Sequence, residues 1–221
     1  MLTALVAYLI GSVPSGYLVA RARGVDIRAH GSGNIGATNV LRVLGKPAGI
    51  FVLAADALKG ALAVLLSPAL FRTPGFFPGW VSPEEVQLYL PLVAGIGAIL
   101  GHTYTFWLGF RGGKGVATSA GVLGALVPVA FLITLATWIL VIAVSRFVSL
   151  GSVVAAAILP LATALTGNHW PRVALTAVIG LLVIWRHRGN LQRLRAGTEA
   201  RLGAPRPETP PQAPTSSAPP S

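Results

Sequence analysis

The chain has 221 residues, of which 53% are hydrophobic and only 10% are charged. A soluble globular domain carries about a quarter charged residues, so this composition excludes that class. The net charge of +11 is compatible with nucleic-acid binding, but cations beside membrane helices also set topology and contact anionic lipid. We therefore expect membrane lipid and no nucleic acid as a partner. The absence of cysteine excludes disulfides, thiolate catalysis and metal sites with Cys ligands.

The apolar residues form runs close to the roughly 20 residues that a helix needs to cross the hydrocarbon core. Strand-like alternation is absent, so the pattern predicts an all-α fold, a polytopic membrane helix bundle. The predicted spans are 2–20, 47–68, 87–108, 116–127, 128–145, 149–167 and 171–186. We interpret the first run as a retained helix rather than a signal peptide, because Arg21 and Arg23 follow it instead of preceding it.

Basic residues decide whether the apolar stretch 116–145 crosses the membrane once or twice. The loop after the first span, the segment around Lys114 and the arginines after the last span all belong in the cytoplasm by the positive-inside rule. An even number of crossings must then separate Lys114 from Arg186. Splitting the stretch near Pro128, which leaves a short fourth helix, supplies that number. We predict seven transmembrane helices, with the N-terminus outside and the C-terminus in the cytoplasm.

Two regions lie outside the helices. Residues 69–86 form the predicted first external loop, in which Arg72 stands against two glutamates and Trp80 lies near a span end. Residues 204–221 are rich in Pro, Ala, Ser and Thr and can bury little surface, so we predict a disordered tail behind a membrane domain of residues 1–203.

The first polar segment on the predicted cytoplasmic side is 31–39, which reads GSGNIGATN and is followed by Arg42. Its glycines let backbone N–H groups approach an anion, and four side chains add hydrogen bonds: Ser32, Asn34, Thr38 and Asn39. A short helix starting near Asn34 would add a positive end. The spacing G-x-G-x-x-G also occurs in dinucleotide sites, but the preceding strand is missing. A simple Gly/Asn-rich turn between helices is the alternative.

Two further polar segments fall on the same side. Residues 111–118 read RGGKGVAT and place Lys114 on a glycine turn at a helix start, without the spacing of a Walker A loop. Alone, such a lysine is usually an interfacial charge. After the last span, His187 and Asn190 are three residues apart and could share one helical face.

Polar side chains also occur inside two apolar spans. Asp56 and Lys59 are three residues apart and can form an ion pair, which is either functional or purely structural. His102 lies late in the third span. Four scattered histidines and six acidic residues offer no metal-ligand set, so we expect no metal or cofactor.

None of the four histidines is followed by Asp at the spacing H-x-x-x-x-D of common glycerolipid acyltransferases. No paired cytoplasmic carboxylates suit a metal-dependent phosphotransferase either. The chemistry must therefore use cations, amides and hydroxyls to position a substrate that is already activated.

In chain order, these segments resemble the bacterial acyl-phosphate:glycerol-3-phosphate acyltransferases, the PlsY family. The matching residues are Gly31, Ser32, Gly33 and Asn34 with Gly36, Ala37, Thr38 and Asn39; Asp56, Lys59 and Gly60; Gly101 and His102; the stretch 110–118; and His187, Arg188, Asn190, Arg193, Leu194, Gly197 and Glu199. They extend from the first loop to just beyond the last helix.

The resemblance implies transfer of an acyl chain from acyl-phosphate to the 1-hydroxyl of sn-glycerol 3-phosphate, which gives lysophosphatidic acid for phospholipid synthesis. It implies catalytic roles for Ser32, Lys114 and His187. It implies phosphate contacts from Ser32, Asn34, Thr38, Arg42, Lys114, His187 and Asn190. Supporting roles fall to Gly31, Gly33, Gly36, Asn39, Asp56, Lys59, His102, Gly112, Gly113 and Gly115. The implied location is a bacterial cell membrane with a cytoplasmic active site, supplied by a soluble acyl-phosphate-producing enzyme of the PlsX type.

Some alternatives stay open at this stage. The general base is either the donor's own phosphate or His187. Thr105 and Gly189 depart from residues common in the family, and we expect Thr105 to affect the end of the third span and Gly189 to loosen the turn between His187 and Asn190. A transporter of small organic anions would also use helix breaks and basic residues near glycines.

Overall fold

The computed structural model of the chain describes residues 2–70 and 82–203, and within these ranges all regular structure is helical. Ten α-helices are present in this part of the chain: α1 Leu2–Ser12, α2 Ser15–Arg21, α3 Ala37–Leu44, α4 Lys46–Leu70, α5 Pro83–Thr103, α6 Val116–Leu126, α7 Pro128–Ser145, α8 Val148–Leu165, α9 Trp170–Arg186 and α10 Arg188–Arg195. Short 3₁₀ turns cover Ile27–Ala29 and Phe106–Leu108. The all-α prediction is confirmed for the described residues.

Among residues 2–70 and 82–203, five helical stretches are long and apolar enough to cross a bilayer: Leu2–Arg21, Lys46–Pro68, Glu84–Leu108, Pro128–Ser145 and Val148–Leu165. On α7, large apolar side chains such as Leu140 and Val144 are exposed, which is the expected state of a lipid-facing surface. The chain is therefore an integral membrane protein. Helix α6, with 11 residues, and α9, with 17, are shorter, so seven crossings and the orientation of the termini stay predictions.

The first predicted span is not one continuous helix, and this part of the prediction is wrong. Pro14 separates α1 from α2, because proline lacks an N–H donor and disfavours helical backbone in the residue before it. Side chains from α4 and from the segment after α5 bond to the carbonyls at the break. Thr105 Oγ1 donates to the Ser12 oxygen over 2.6 Å, and Lys59 Nζ donates to the Val13 oxygen over 2.8 Å.

The predicted division near Pro128 is confirmed. Helix α6 ends at Leu126 and α7 begins at Pro128, while Val127 between them has φ −141° and ψ 62°. These angles lie outside the helical region, which the ring of a following proline disfavours sterically. A single proline thus turns one apolar stretch into two helices.

Small residues bring the helices into close contact. Helix α1 packs on α5 and α4 packs on α6. A Cβ atom at Gly11 would overlap the Ala98 carbonyl, and one at Gly121 would overlap the Ala57 carbonyl. Such small-residue contacts are the usual way in which membrane helices approach each other, since burial from water does not drive their packing.

A separate apolar cluster anchors the first polar loop, between α2 and α3. Ile27 and Ile35, at the two ends of the loop, are buried against Val40 of α3 and Val52 of α4. The loop is therefore held at both ends by core packing, and its polar residues lie between two fixed points.

Two predicted regions cannot be compared with the structure. Arg72 and Trp80 of the external loop, and the tail 204–221, lie outside the described residues. The predicted disorder of the tail accordingly stays a prediction.

Candidate functional site

The first polar loop is organised around the buried side chain of Asn39. Its Nδ2 donates to the carbonyls of Asn34 over 2.9 Å and His30 over 3.0 Å. Its Oδ1 accepts the backbone N–H of Ser32 over 2.9 Å. The amide therefore holds the loop itself together.

The glycines of this loop allow backbone that other residues avoid. Gly31 and Gly33 have positive φ values of 59° and 67°, a region that costs other residues steric strain. Asn34 Oδ1 accepts the Gly36 N–H over 2.8 Å, and Gly36 is the N-cap of α3. The helix thus starts at Ala37, three residues later than the predicted start near Asn34, and Thr38 lies in its first turn.

The second polar loop folds back on the end of α5. The N–H groups of Gly112 and Gly113 each donate over 3.1 Å, to the carbonyls of Thr103 and His102 respectively. Cβ atoms at either glycine would overlap His102, so other residue types cannot take this path. Lys114 follows these glycines and lies just before the N-terminus of α6.

Lys114 lies at one end of a hydrogen-bonded chain of side chains. Its Nζ donates to Asn190 Oδ1 over 2.5 Å, and Asn190 Nδ2 donates to Glu199 Oε1 over 2.5 Å. Glu199 also accepts from Ser149 Oγ at 2.7 Å and from Arg193 Nε at 2.8 Å. The second and third predicted segments are therefore in direct contact.

Burial lowers the pKa of the Lys114 ammonium to about 8. Glu199 opposes this shift, whereas Arg193, Arg186 and Arg42 add to it. Burial also opposes the charge of Glu199, but its hydrogen bonds from Asn190, Ser149 and Arg193 outweigh burial and lower the pKa of the carboxyl. The site thus gathers more positive than negative charge, as an anion-binding site requires.

His187 is buried at the junction of α9 and α10. Its Nδ1 lies 2.7 Å from the Val183 carbonyl oxygen, which can only accept, so Nδ1 carries the proton and Nε2 is left as an acceptor. Burial, together with the positive charges of Lys114 and Arg186, lowers the pKa of His187 to about 4, although the hydrogen bond to Val183 and the charge of Glu199 oppose this shift. The imidazole is therefore neutral at pH 7 and offers a lone pair.

An open cleft of about 510 Å³ lies between the first and second loops. Gly33 and Ile35 line one side, and Arg111 and Gly112 line the other. Arg28 also borders the cleft, and its hydrogen bonds to Asp26 lower the pKa of that carboxyl to about 2. The first two predicted segments therefore face a shared space.

The structure brings some predicted site residues together and leaves others apart. Lys114 and Asn190 are hydrogen-bonded. Arg42 is close enough to lower the pKa of Lys114, and Lys114 is close enough to lower the pKa of His187. Within the described residues, no hydrogen bond joins the side chains of Ser32, Asn34 or Thr38 to this group. Their assigned phosphate contacts stay predictions.

Sequence reasoning missed two residues of this site. Glu199 was matched to the family but given no role, although a carboxylate is scarce in a chain with six acidic residues. Arg186 was treated only as a topology marker, yet its Nη2 donates to the carbonyls of Gly112 at 3.3 Å and Gly113 at 3.0 Å. No local signal indicated that contact, which depends on how α9 packs.

Gly189 occupies the first turn of α10, and a Cβ there would meet only Arg193 Nη1 at 3.7 Å. His187 and Asn190, which flank Gly189 in the chain, are both buried. The missing side chain thus leaves space, while the turn itself is well packed.

Among the described residues, no group of three or more His, Asp or Glu side chains could hold a metal ion.

Comparison with known proteins places these features in a family. A family model described as glycerol-3-phosphate acyltransferase matches residues 1–197. The chain is 49% identical to the glycerol-3-phosphate acyltransferase of Geobacter sulfurreducens, with 90% of this chain and 95% of that protein covered. It is 48% identical to that of Thermosynechococcus vestitus, with 92% and 95% covered.

Two solved structures are similar over most of the chain. The crystal structure of PlsY (YgiH), an integral membrane glycerol 3-phosphate acyltransferase, in its glycerol 3-phosphate form has a TM-score of 0.81 and 37% identity, with 91% of this chain and 94% of that chain covered. The lysophosphatidic acid form of that enzyme has a TM-score of 0.79 at the same identity and coverage.

Proposed function

The chain belongs to the glycerol-3-phosphate acyltransferase family, and we propose that it transfers an acyl chain from an acyl-phosphate to the 1-hydroxyl of sn-glycerol 3-phosphate, forming lysophosphatidic acid. The observation that carries the proposal is the family match together with the Lys114 site. There an ammonium on a glycine turn bonds to an amide oxygen, and Arg42, Arg186 and Arg193 add positive charge around it. Such a site suits phosphate groups, which both substrates carry. The family match favours this reading over the transporter of organic anions.

The reaction needs no enzyme nucleophile. The glycerol hydroxyl oxygen attacks the acyl carbonyl, the new ester C–O bond forms, and the bond from the acyl carbon to the phosphate oxygen breaks. Inorganic phosphate leaves and carries the hydroxyl proton. Lys114 and Arg42 hold phosphate charge, while Ser32 and the amides of its loop stabilise the negative charge that develops on the carbonyl oxygen.

The general base is the leaving phosphate rather than His187. A base whose conjugate acid has a pKa of about 4 is a weak proton acceptor for an alcohol at neutral pH. Glu199 is also unsuitable, because Asn190, Ser149 and Arg193 already donate to its oxygens. His187 instead orients a substrate hydroxyl, which donates to its Nε2.

The site lies on the cytoplasmic face of a bacterial cell membrane, in a bundle that crosses seven times. Two contacts support this proposal. Lys114 bonds to Asn190 although α6 to α9 separate them, so an even number of crossings lies between. Arg146, at the end of α7, bonds to Leu202, which follows α10. The end of α7 therefore lies on the same side of the membrane as Lys114 and Asn190, so the pair α6 and α7 brings the chain back to the side from which α6 starts. A cytoplasmic site would receive acyl-phosphate from a soluble PlsX-type enzyme.

The test uses the purified full chain in detergent or proteoliposomes with glycerol 3-phosphate and one acyl donor at a time. We expect lysophosphatidic acid and inorganic phosphate with acyl-phosphate, and no product with acyl-CoA or acyl-carrier protein. Turnover with those thioesters and not with acyl-phosphate would contradict the donor assignment.

Lys114→Ala should lower kcat/KM about a hundredfold or more, whereas the matched control Lys46→Ala, at an exposed site on α4, should keep wild-type rates.

A further inference from the structure

Three polar side chains meet beneath the second loop without taking part in the proposed phosphate contacts. Asp56 and Lys59 come from α4 and His102 from α5, and each is at most 7% exposed. Lys59 Nζ lies 2.7 Å from Asp56 Oδ1, 2.8 Å from the Val13 carbonyl oxygen and 3.0 Å from His102 Nδ1. The three protons of the ammonium therefore match three acceptors.

This arrangement holds the imidazole of His102 in one orientation. An ammonium can only donate, so Nδ1 of His102 is the acceptor and the ring proton lies on Nε2. Asp56 Oδ1 is 3.6 Å from His102 Nδ1, too far for a hydrogen bond. Lys59 thus connects the carboxylate, the ring and the helix break at Val13.

The opposite edge of the ring faces the second loop. A Cβ atom at Gly113 would overlap His102 Nε2 and lie 2.8 Å from its Cε1, so the ring packs directly on the backbone of Gly113. The Gly113 N–H also donates to the His102 carbonyl over 3.1 Å. His102 consequently contacts the residue before Lys114 through both its side chain and its backbone.

We propose that His102 is a positioning residue for the acyl transfer, an inference that rests on the proposed function. Lys59 and Asp56 fix the imidazole, the imidazole sets the backbone path of Gly113, and that path sets where Lys114 Nζ lies relative to Asn190. The rival explanation is that the three side chains stabilise the fold alone and that His102 serves only as an acceptor for Lys59.

The variant His102→Asn separates these explanations. Its amide oxygen can accept from Lys59 in place of Nδ1, but the shorter side chain loses the edge that contacts Gly113. We expect a melting temperature close to wild type and a kcat that is about tenfold to a hundredfold lower with acyl-phosphate and glycerol 3-phosphate, because small displacements of a catalytic group have large effects on rate. KM should change less. The control is His169→Asn, an exposed histidine before α9, which should behave as wild type.

A double-mutant cycle tests the contact itself. Gly113→Ala should lower kcat/KM by about tenfold or more, because its methyl group displaces the loop. In the Gly113→Ala/His102→Ala double variant the absence of the ring leaves room for that methyl. The loss of kcat/KM in the double variant should therefore be smaller than the product of the losses in the single variants Gly113→Ala and His102→Ala.

Three outcomes would overturn the inference: wild-type kcat/KM in His102→Asn, a loss in that variant fully explained by less folded protein, or multiplicative losses in the double variant. They are distinct from failure of the proposed function, in which the wild-type chain itself shows no turnover with acyl-phosphate.

Discussion

At the scale of single residues, the charge of Lys114 is directed to an amide rather than to a carboxylate. Asn190 accepts its hydrogen bond, and the nearest carboxylate, Glu199, lies one bond further along the chain of contacts and is shared with Arg193. An amide oxygen orients the ammonium without neutralising it. The positive charge is therefore still available to a phosphate group.

The pKa of Lys114 determines a pH dependence. Below a pH of about 8 the ammonium is charged, and above it the amine is neutral and binds phosphate poorly. Since kcat/KM reports ionisations of the free enzyme, it should fall as pH rises through about 8. In Lys114→Arg the guanidinium stays charged, so this alkaline limb should disappear between about pH 7 and 10 even where the maximal rate is lower.

The control for this profile is Lys46→Arg, a lysine at the exposed start of α4, which should keep the wild-type limb. The measurement is initial rate at low substrate concentration across the pH range. An alkaline limb of unchanged position in Lys114→Arg would show that another group titrates.

At the scale of elements, the packing of α4 on α6 joins the buried ion pair to the second loop. Helix α4 carries Asp56 and Lys59, and α6 begins at Val116, two residues after Lys114. Their contact depends on glycine on both sides. Cβ atoms at Gly60 and Gly121 would overlap the Thr118 and Ala57 carbonyls respectively.

Two glycines of α6 offer a matched comparison. Gly121→Ala should destabilise the protein by about 1–3 kcal/mol, because the methyl group overlaps the α4 backbone. Gly124→Ala should be neutral or stabilising by up to about 1 kcal/mol, since its Cβ would lie 3.7 Å from Phe131, an ordinary contact. Thermal unfolding of both variants in the same detergent measures the difference. Equal melting temperatures would contradict close packing of α4 on α6.

At the scale of the whole molecule, the topology depends on whether α6 and α7 both cross the membrane. The chain has no cysteine, so single cysteines can be labelled without background. With seven crossings, a membrane-impermeant maleimide applied to intact spheroplasts should label His169→Cys and leave Lys46→Cys and Gln192→Cys unlabelled until the membrane is permeabilised. All three positions are exposed.

A single crossing by 116–145 predicts a different result. Gln192→Cys would then be labelled from outside and His169→Cys would be protected, while Lys46→Cys would behave as before. Lys46→Cys therefore serves as the internal control for sidedness, and the pair at 169 and 192 decides the number of crossings.

Much of the fold could be predicted because it depends on local chemistry. Run length and composition identified membrane helices within a few residues of their observed ends, and Pro128 marked the division of α6 from α7. The same local rule applies at Pro14, where the first span is divided into α1 and α2. Glycine patterns likewise marked both loops, since a positive φ or a close approach restricts the residue type locally.

The arrangement of the site depended on packing between distant parts of the chain. Lys114 and Asn190 are 76 positions apart, and which acceptor meets the ammonium is decided by how α9 and α10 pack, not by residues near either one. The same holds for Glu199 with Ser149 and for Lys59 with His102. The amino-acid sequence determined the membrane helices, the loop chemistry and the family, because these follow from local patterns. Only the tertiary structure decided which cations, amides and carboxylates meet. Such pairings come from packing between distant parts of the chain, and local sequence patterns do not specify that packing.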